Sequence, residues 1–352
     1  MEYANISNQY NYFCGGDMHS KSSYFVVLDR TGKRVRKANL ANQANLFKDF
    51  IAPFAGQVIV GVESNFNYPW LFDLCQAQNI PFILGHAAYM RAIAGNKTKN
   101  DRLDASTIAN LMRTNFFPLA FPYPKEDRHV RDLLRRRHFF VRQRTGLITH
   151  CKLTLYQENI IEYGSSAVFK NQLKSKTLIE SIDSPMVKLN LETNIKMIVS
   201  LNMTIAFLEK SIKEAVKKDK AKQYVLLQTI PGVGELIALI IIYETYDIKR
   251  FKSHQKYASY CRVVMPQRMS NGIKKKGGNP KMGNPYLKWA FGQILHNARM
   301  CNEAIDAFYR RLERKHGTKK ARAIMAHKFN TAVYYMLKNE TEFDLNKFLN
   351  RK

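Results

Sequence analysis

The sequence has few acidic residues for its number of basic ones. It contains 28 Asp and Glu against 56 Lys and Arg, which gives a formal net charge of +28. This imbalance makes most of the surface attract polyanions, and nucleic acid is the commonest large polyanion in a cell. An anionic membrane is the competing partner.

The sequence also lacks a long apolar run. The longest, Leu236–Ile242, is far shorter than the roughly 20 residues that a membrane-spanning helix needs. The polar start, MEYANISNQYNY, does not have the form of a signal peptide. We therefore expect a soluble intracellular protein that does not contact a membrane.

Cysteines are few and carry no metal-ligand spacing. The chain has 5 of them, an odd number with no C-x-x-C pair. This pattern excludes a disulfide framework and a cysteine-based zinc site. We expect reduced cysteines that serve as packing residues.

Short alternating runs open the chain. Three of them, YFCGGDMH, SSYFVVLD and RVRKANL, indicate an antiparallel three-stranded meander. A helix pattern over 41–52 follows, then the buried strand QVIVGVE, a helix over 69–78 and a second short buried strand, IPFILG. Strands that alternate with helices in this way predict an α/β domain over 1–127.

Proline and glycine are rare between 128 and 222, where the periodicity is helical throughout. We interpret this stretch as a helical, coiled-coil-like arm. The arm begins with a strongly basic run in which two phenylalanines interrupt the arginines. A solvated helix face is the alternative, but nucleic-acid binding is favoured because a large excess of one charge is costly without a partner. The candidate contacts are Arg128, Arg131, Arg135, Arg136, Arg137, Arg142 and Arg144.

A third segment, 223–352, starts with an apolar pair of predicted helices joined by the sequence PGVG. This pattern is typical of a helix-hairpin-helix, in which glycines let backbone N–H groups approach a phosphate. Gly232 and Gly234 are therefore candidate nucleic-acid contacts.

Four carboxylates stand out in the first domain. Asp17 lies on the first strand, Glu63 ends the fourth, and Asp101 and Asp104 start a helix in the sequence KNDRLDASTIANLM. The simpler interpretation is that Asp101 or Asn100 caps this helix while Asp104 pairs with a neighbouring arginine. In an RNase-H-like sheet, however, the four positions converge on one edge, and such a cluster needs cations to hold it together. Oxygen ligands select hard ions such as Mg²⁺, and two such ions can promote phosphodiester cleavage.

A second constellation lies in the sequence RMSNGIKKKGGNPKMGNPYLKWAF. It places Ser270 in a glycine-rich, basic segment where a hydroxyl can be presented to a phosphate and nearby cations can stabilise the developing charge. The basic candidates are Arg268, Lys274, Lys275 and Lys276. A serine in such a segment is usually unremarkable. Trp289 and Phe291, further along, are expected in the core.

The order of these motifs resembles the DEDD-type transposases of bacterial insertion sequences, a family of RNA-guided recombinases. The resemblance implies a RuvC-like domain whose four acids hold Mg²⁺ or Mn²⁺, and a C-terminal transposase domain whose serine, here Ser270, becomes covalently joined to DNA. It further implies a guide (bridge) RNA, donor and target duplex DNA, a dimer or tetramer, and a bacterial cytoplasmic protein near the nucleoid.

Two departures from the family pattern affect the site. Asn271 separates Ser270 from Gly272, so Ser253 and Ser259 stay open as alternative nucleophiles. After Glu63 the sequence is SNFNYPW, where many members carry a glycine-containing turn.

Two rival functions remain. A metal-dependent Holliday-junction-type endonuclease would use the acids without serine chemistry, and a non-catalytic RNA-binding protein would keep only the fold. A covalent protein–DNA adduct separates the first rival from a recombinase, and loss of activity on chelation separates the second.

Overall fold

A computed structural model describes residues 3–94, 101–160, 167–170, 172–216, 220–264, 268–270, 273–275 and 282–349. Within these ranges only the backbone is described for 91–94, 101–103, 170, 172–173, 268–270 and 273–275. The chain forms two compact units, Met1–Lys125 and Glu126–Lys352. The division into three domains stays a prediction.

The first unit is a mixed sheet with flanking helices, as its alternating sequence predicts. Its elements are β1 Tyr12–Met18, β2 Ser22–Asp29, β3 Arg34–Ala41, α1 Ala44–Ile51, β4 Val58–Glu63, α2 Tyr68–Ala77, β5 Phe82–Gly85, α3 Ala87–Ala94, α4 Asp101–Arg113 and β6 Leu119–Ala120. The meander, both buried strands and the helix that carries the acids are confirmed. The strand β6 and the helix α3 have no counterpart in the sequence-based prediction.

The six strands lie in the order β3-β2-β1-β4-β5-β6. The pairs β1–β4 and β4–β5 are parallel, whereas β1–β2, β2–β3 and β5–β6 are antiparallel. Strand β4 is buried along almost its whole length, as expected of a central strand with both faces covered. One face packs against α1 and α2, and the other against α4.

The second unit is almost entirely helical. Its elements are α5 Lys125–Gln157, α6 Gln172–Glu180, α7 Pro185–Glu214, α8 Ala221–Gln228, α9 Glu235–Thr245, α10 His254–Tyr260, β7 Arg268–Ser270, β8 Ile273–Lys275, α11 Pro285–Cys301, α12 Glu303–His316, α13 Thr318–Asn339 and α14 Leu345–Leu349. The helical character of the arm is confirmed, and the strands β7 and β8 pair antiparallel.

Two hydrophobic cores hold this unit together. The larger is built around α9, a helix buried on all sides, with α11 and α13 packed against it. Phe291 is fully buried there, as predicted, but Trp289 is only partly buried. The smaller core joins the far end of α5 to α6 and α7.

Across the described residues, no helix has the length and hydropathy of a bilayer-spanning segment. All the cysteines are free thiols, and only Cys301 is exposed. Burial raises the pKa of the Cys151 thiol to about 11, so it stays protonated and behaves as a small apolar packing residue.

Candidate active site

The parallel register of β1 and β4 places two of the predicted acids side by side. Gly15 pairs with Gly61 and Gly16 with Val62, so Asp17 and Glu63 take the next position on neighbouring strands. Side chains at equivalent positions of adjacent strands point to the same face, about 4.8 Å apart across the sheet. Asp17 and Glu63 therefore share one face at the carboxyl ends of their strands.

Helix α4 packs on that same face. A Cβ atom on Gly15 would come within 2.2 Å of the Ala105 carbonyl oxygen, and one on Gly61 within 2.3 Å of the Met112 sulfur. Two glycines directly opposite each other thus let the helix backbone rest on the sheet. Ala105, Ala109 and Met112 are buried in this contact, and Ile108 and Leu111 of the same helix are buried as well.

The direction of α4 brings its first turn to the acidic edge. Arg113, in the last turn of α4, donates a hydrogen bond to the carbonyl oxygen of Arg30. Arg30 directly follows β2, whose last residue, Asp29, pairs with the first residue of β1. The helix therefore runs antiparallel to β1. From Ala105 the helix backbone extends about 6 Å to Asp101, while β1 extends roughly 6.6 Å from Gly15 to Asp17. These distances bring the start of α4 toward the edge that carries Asp17 and Glu63, and the meeting of the four carboxylates there stays a prediction.

The turn after β4 ties the two strand ends together. Asn65 donates a hydrogen bond of 2.7 Å to the Met18 carbonyl oxygen, and its own side-chain oxygen accepts from the N–H groups of Asn67 and Tyr68. Asn67 in turn donates to the His19 carbonyl oxygen. These asparagines fix the backbone behind Glu63, in the place where the family pattern has a glycine-containing turn. The asparagine spacing was a readable signal, because asparagine commonly bonds to backbone two residues on.

Histidines border the acidic edge. The Nε2 atom of His19 lies 3.2 Å from a carboxylate oxygen of Asp17. His86 follows the β5 residue that pairs with Glu63, and burial lowers the pKa of its imidazole. The position of His86 depends on the pairing of β4 with β5, which the sequence alone does not specify.

The donor types at this edge suit a hard divalent ion, since carboxylate oxygens are its preferred ligands. Among the side chains that the structure describes, no three Asp, Glu, His or Cys residues form a group that could hold a metal ion. Asp17, Glu63 and Asp104 are among these described side chains, whereas the side chain of Asp101 lies outside the described part. Metal binding by the four acids therefore stays a prediction.

Ser270 ends β7 and pairs with Ile273 at the start of β8. The backbone is described at Arg268, Lys274 and Lys275, while Lys276 lies outside the described residues. Asn271 and Gly272, between the paired ends, are the dipeptide typical of two-residue hairpins. That signal was present in the sequence and predicts the strand pairing now seen.

The segment that carries Ser270 is closed at its base. The backbone N–H of Asn284 donates to the Tyr260 carbonyl oxygen at 2.6 Å. The guanidinium of Arg262 donates to the Gly283 carbonyl oxygen at 2.8 Å. The Asn284 side chain caps α11 and donates at 2.7 Å to the buried carboxylate of Glu244. The alternative serines belong to α10: the Ser253 hydroxyl caps the helix, and Ser259 lies in its last turn, next to Tyr260.

The basic run of α5 is less exposed than its sequence suggests. Arg128 and Arg131 are buried. Arg135 makes a bidentate ion pair of 2.7 Å with Glu244, which is 1% exposed. Other arginines of the run bond to α7: Arg137 pairs with Glu209 and Arg144 donates to Asn202. Arg136 and Arg142 are exposed.

The two helices that the sequence PGVG joins are present as α8 and α9, and the two glycines between them differ in surroundings. Their function as a helix-hairpin-helix stays a prediction. Gly232 has a φ of +80°, and a Cβ atom there would come within 2.6 Å of the α11 backbone at Ala298. Its carbonyl oxygen accepts from the Asn297 side chain. Gly234 is exposed and precedes α9, whose first residue, Glu235, pairs with Lys213. Gly232 thus packs against α11, and nucleic-acid contact at Gly234 stays a prediction.

Comparisons with known proteins agree with this arrangement. Residues 14–159 match a family model for DEDD transposases of the IS110 type, and residues 224–310 match the model described as transposase IS116/IS110/IS902 family. The chain is 27% identical over 202 residues to a transposase for insertion sequence element IS1111A from Coxiella burnetii, covering 57% of this chain and 54% of that protein. It is 25% identical over 227 residues to a probable family 20 transposase from Pseudomonas aeruginosa, covering 61% of this chain and 64% of that protein.

The alignments thus span only about half to two thirds of the length of these curated relatives. The two family models match successive parts of the chain and leave the middle of the arm and the last helices outside their ranges. Their ranges include the acidic edge and the Ser270 segment respectively. Over residues 14–159 and 224–310, the chain is thus similar to DEDD transposases of the IS110 type.

Proposed function

We propose that this protein is the transposase of a bacterial insertion sequence, which cuts and rejoins DNA strands under the guidance of an RNA. The observation that carries the proposal is the register of β1 and β4, which aligns Asp17 with Glu63 on the face that α4 covers. Asp101 and Asp104, in the first turn of α4, are proposed to join them. The family matches supply the reaction class.

The four acids are proposed to hold Mg²⁺ or Mn²⁺, which stabilises charge on the oxygens of the phosphodiester when bound. The chain's own contribution is to fix these carboxylates. Asn65 and Asn67 tie the strand ends that carry Asp17 and Glu63, and the glycine contacts hold α4 on the sheet.

Ser270 is proposed as the nucleophile. Its hydroxyl oxygen would form a bond to phosphorus while the bond to one deoxyribose oxygen breaks, and the hydroxyl proton leaves to solvent or a base. The lysines of β8 stand on the neighbouring strand, where positive charge favours the charged transition state. The guide RNA, the donor and target duplexes and a dimer or tetramer belong to this proposal through the family resemblance.

The deciding experiment looks for a protein–DNA adduct that survives denaturation. Wild-type protein with guide RNA, DNA and Mg²⁺ should give an adduct that peptide mapping locates to 265–275, and Ser270→Ala should give none. Asp17→Asn and Glu63→Gln should abolish recombination while guide-RNA binding stays within a few-fold. Cleavage without any adduct would instead support the junction endonuclease, and an adduct lost only in Ser253→Ala or Ser259→Ala would move the nucleophile.

A further inference from the structure

A shallow groove on the C-terminal unit has no role in the proposed chemistry. Its volume is about 630 Å³, and one face of α11 forms most of it, with Arg322 of α13 on the other side. The residues used below are Lys288, Trp289, Gly292 and Arg322. We call this feature the α11 groove.

Gly292 lies in the middle of α11 and faces open space. A Cβ atom built there would have no atom of the described protein within 4 Å. Glycine inside a helix destabilises it relative to alanine, and here no packing contact with the described protein explains the choice. A helical glycine without a neighbour suits a site where a ligand backbone approaches closely.

Trp289 forms an aromatic wall of the groove. Its ring is partly buried, and the His138 ring contacts it edge-on with centroids 4.9 Å apart. Burial, with help from Arg142 and Arg137, lowers the pKa of His138. The indole is therefore held by a neutral neighbour, while part of it remains accessible from the groove.

Lys288 and Arg322 supply positive charge at the groove. Within the described residues, neither side chain forms an ion pair with a carboxylate. Two cations near an accessible indole match the requirement for single-stranded nucleic acid, whose bases stack on aromatic rings while its phosphates meet basic side chains. A duplex does not satisfy this pattern, because its bases are already stacked on one another.

We propose that the α11 groove binds a single-stranded nucleic-acid segment, with one base stacked on Trp289, flanking phosphates on Lys288 and Arg322, and the strand passing over Gly292. This inference rests on the proposed function, because it assumes an enzyme that handles RNA and opened DNA. It adds a strand-binding site made of residues other than the four acids and Ser270.

The tryptophan content of the chain makes a direct test possible. The sequence has 2 tryptophans, Trp70 and Trp289, so Trp70→Phe leaves Trp289 as the sole reporter. Short single-stranded oligonucleotides should quench its fluorescence in a saturable way, and duplexes of the same sequence should not. Parallel titrations with DNA and RNA show which strand the groove prefers.

Gly292→Ala separates loss of the site from loss of the fold. The added methyl meets no described protein atom, so we expect the thermal midpoint to rise by about 1–3 °C while the oligonucleotide affinity falls at least five-fold. The matched control is Gly146→Ala in α5, another helical glycine with open space above it. That variant should also be more stable, yet bind with unchanged affinity at the Trp289 reporter.

Lys288→Gln gives the second test, with an expected loss of roughly five-fold in affinity and a shallower salt dependence. Quenching by duplex as strong as by single strands, or a Gly292→Ala variant that binds normally, would overturn the proposal. The titrations need neither Mg²⁺ nor cleavage, and Asp17→Asn should quench like wild type. Failure of the groove and failure of the transposase proposal are therefore distinguishable.

Discussion

At the scale of single residues, the buried carboxylate of Glu244 shows that part of the charge in the sequence is neutralised inside the fold. Glu244 is 1% exposed and is bonded by Arg135 and Asn284, so its charge is compensated inside the protein. We expect Glu244→Gln to lower the free energy of unfolding by about 2 kcal/mol, because the substitution weakens the charge-assisted hydrogen bonds that the buried carboxylate accepts from Arg135 and Asn284. Urea unfolding at pH 7 measures the change.

The neighbouring arginine provides the control for that prediction. Arg136→Gln alters an exposed side chain of the same helix, and we expect its effect to stay within about 0.5 kcal/mol. Equal losses for the two variants would mean that the Glu244 pair has no special weight. The sequence predicted all the arginines of this run as nucleic-acid contacts because it shows charge, but not a partner such as Glu244, 109 positions away.

At the scale of elements, the contact of α4 with the sheet depends on Gly15. A Cβ atom there would lie 2.2 Å from the carbonyl oxygen of Ala105, and backbone cannot move aside as a flexible side chain does. We expect Gly15→Ala to destabilise the first unit by about 2 kcal/mol or more and to reduce strand cleavage, because the first turn of α4 shifts from the acidic edge. Hydrogen exchange of the amides in α4 measures the loosening.

Gly56 is a control for Gly15, because it is exposed to solvent and does not touch α4. No atom of the described residues lies within 4 Å of a Cβ built there, but its φ of +74° makes any side chain strained. Gly56→Ala should therefore destabilise by about 1 kcal/mol without changing cleavage. If Gly15→Ala and Gly56→Ala cleave DNA equally well, the packing of α4 on the sheet does not position the acids.

The arm gives a second prediction at this scale. Only some of its arginines are available to phosphates, so Arg136→Gln and Arg142→Gln together should flatten the logarithmic salt dependence of nucleic-acid binding by up to roughly two charges. Arg137→Gln should change stability more than the slope, because Arg137 pairs with Glu209. Equal slopes for all these variants and wild type would contradict nucleic-acid binding by the arm.

The elements themselves were largely predictable, and the reasons are local. Alternating runs specify β1 to β3, and an unbroken apolar run specifies β4. The position of the acids on these elements followed directly. The asparagine bonds behind Glu63 and the strand β6 were not predicted, because they depend on which distant backbone groups need a partner.

The whole molecule should lose stability on mild acidification. Burial lowers the pKa of His86, His138 and His327, with His254 adding to the effect at His327. These histidines therefore bind protons more readily in the unfolded chain than in the folded one. The free energy of unfolding should fall as the pH drops from about 7 through the ordinary histidine range to 5. Urea midpoints across this range measure the slope.

His138→Gln should make that slope smaller, because it removes one of the histidines whose pKa is lowered by burial. A midpoint that stays constant from pH 7 to 5 would contradict the prediction. The net charge of +28 works in the same direction, since further protonation adds to self-repulsion. Measurements at two salt concentrations separate this general effect from the histidines.

The closed base of the Ser270 segment has a consequence for how this chain can change. Hydrogen bonds from Asn284 to Tyr260 and from Arg262 to Gly283 hold the two ends of the segment together. The packing of the helices at these ends therefore does not depend on the length of chain that connects them. Lengthening a loop with fixed ends costs only about 0.6 kcal/mol for each doubling. Because α10 and α11 hold both ends of the segment, we expect insertions and exchanged segments between them to be tolerated. Strand-joining chemistry can then diversify while these two helices stay the same.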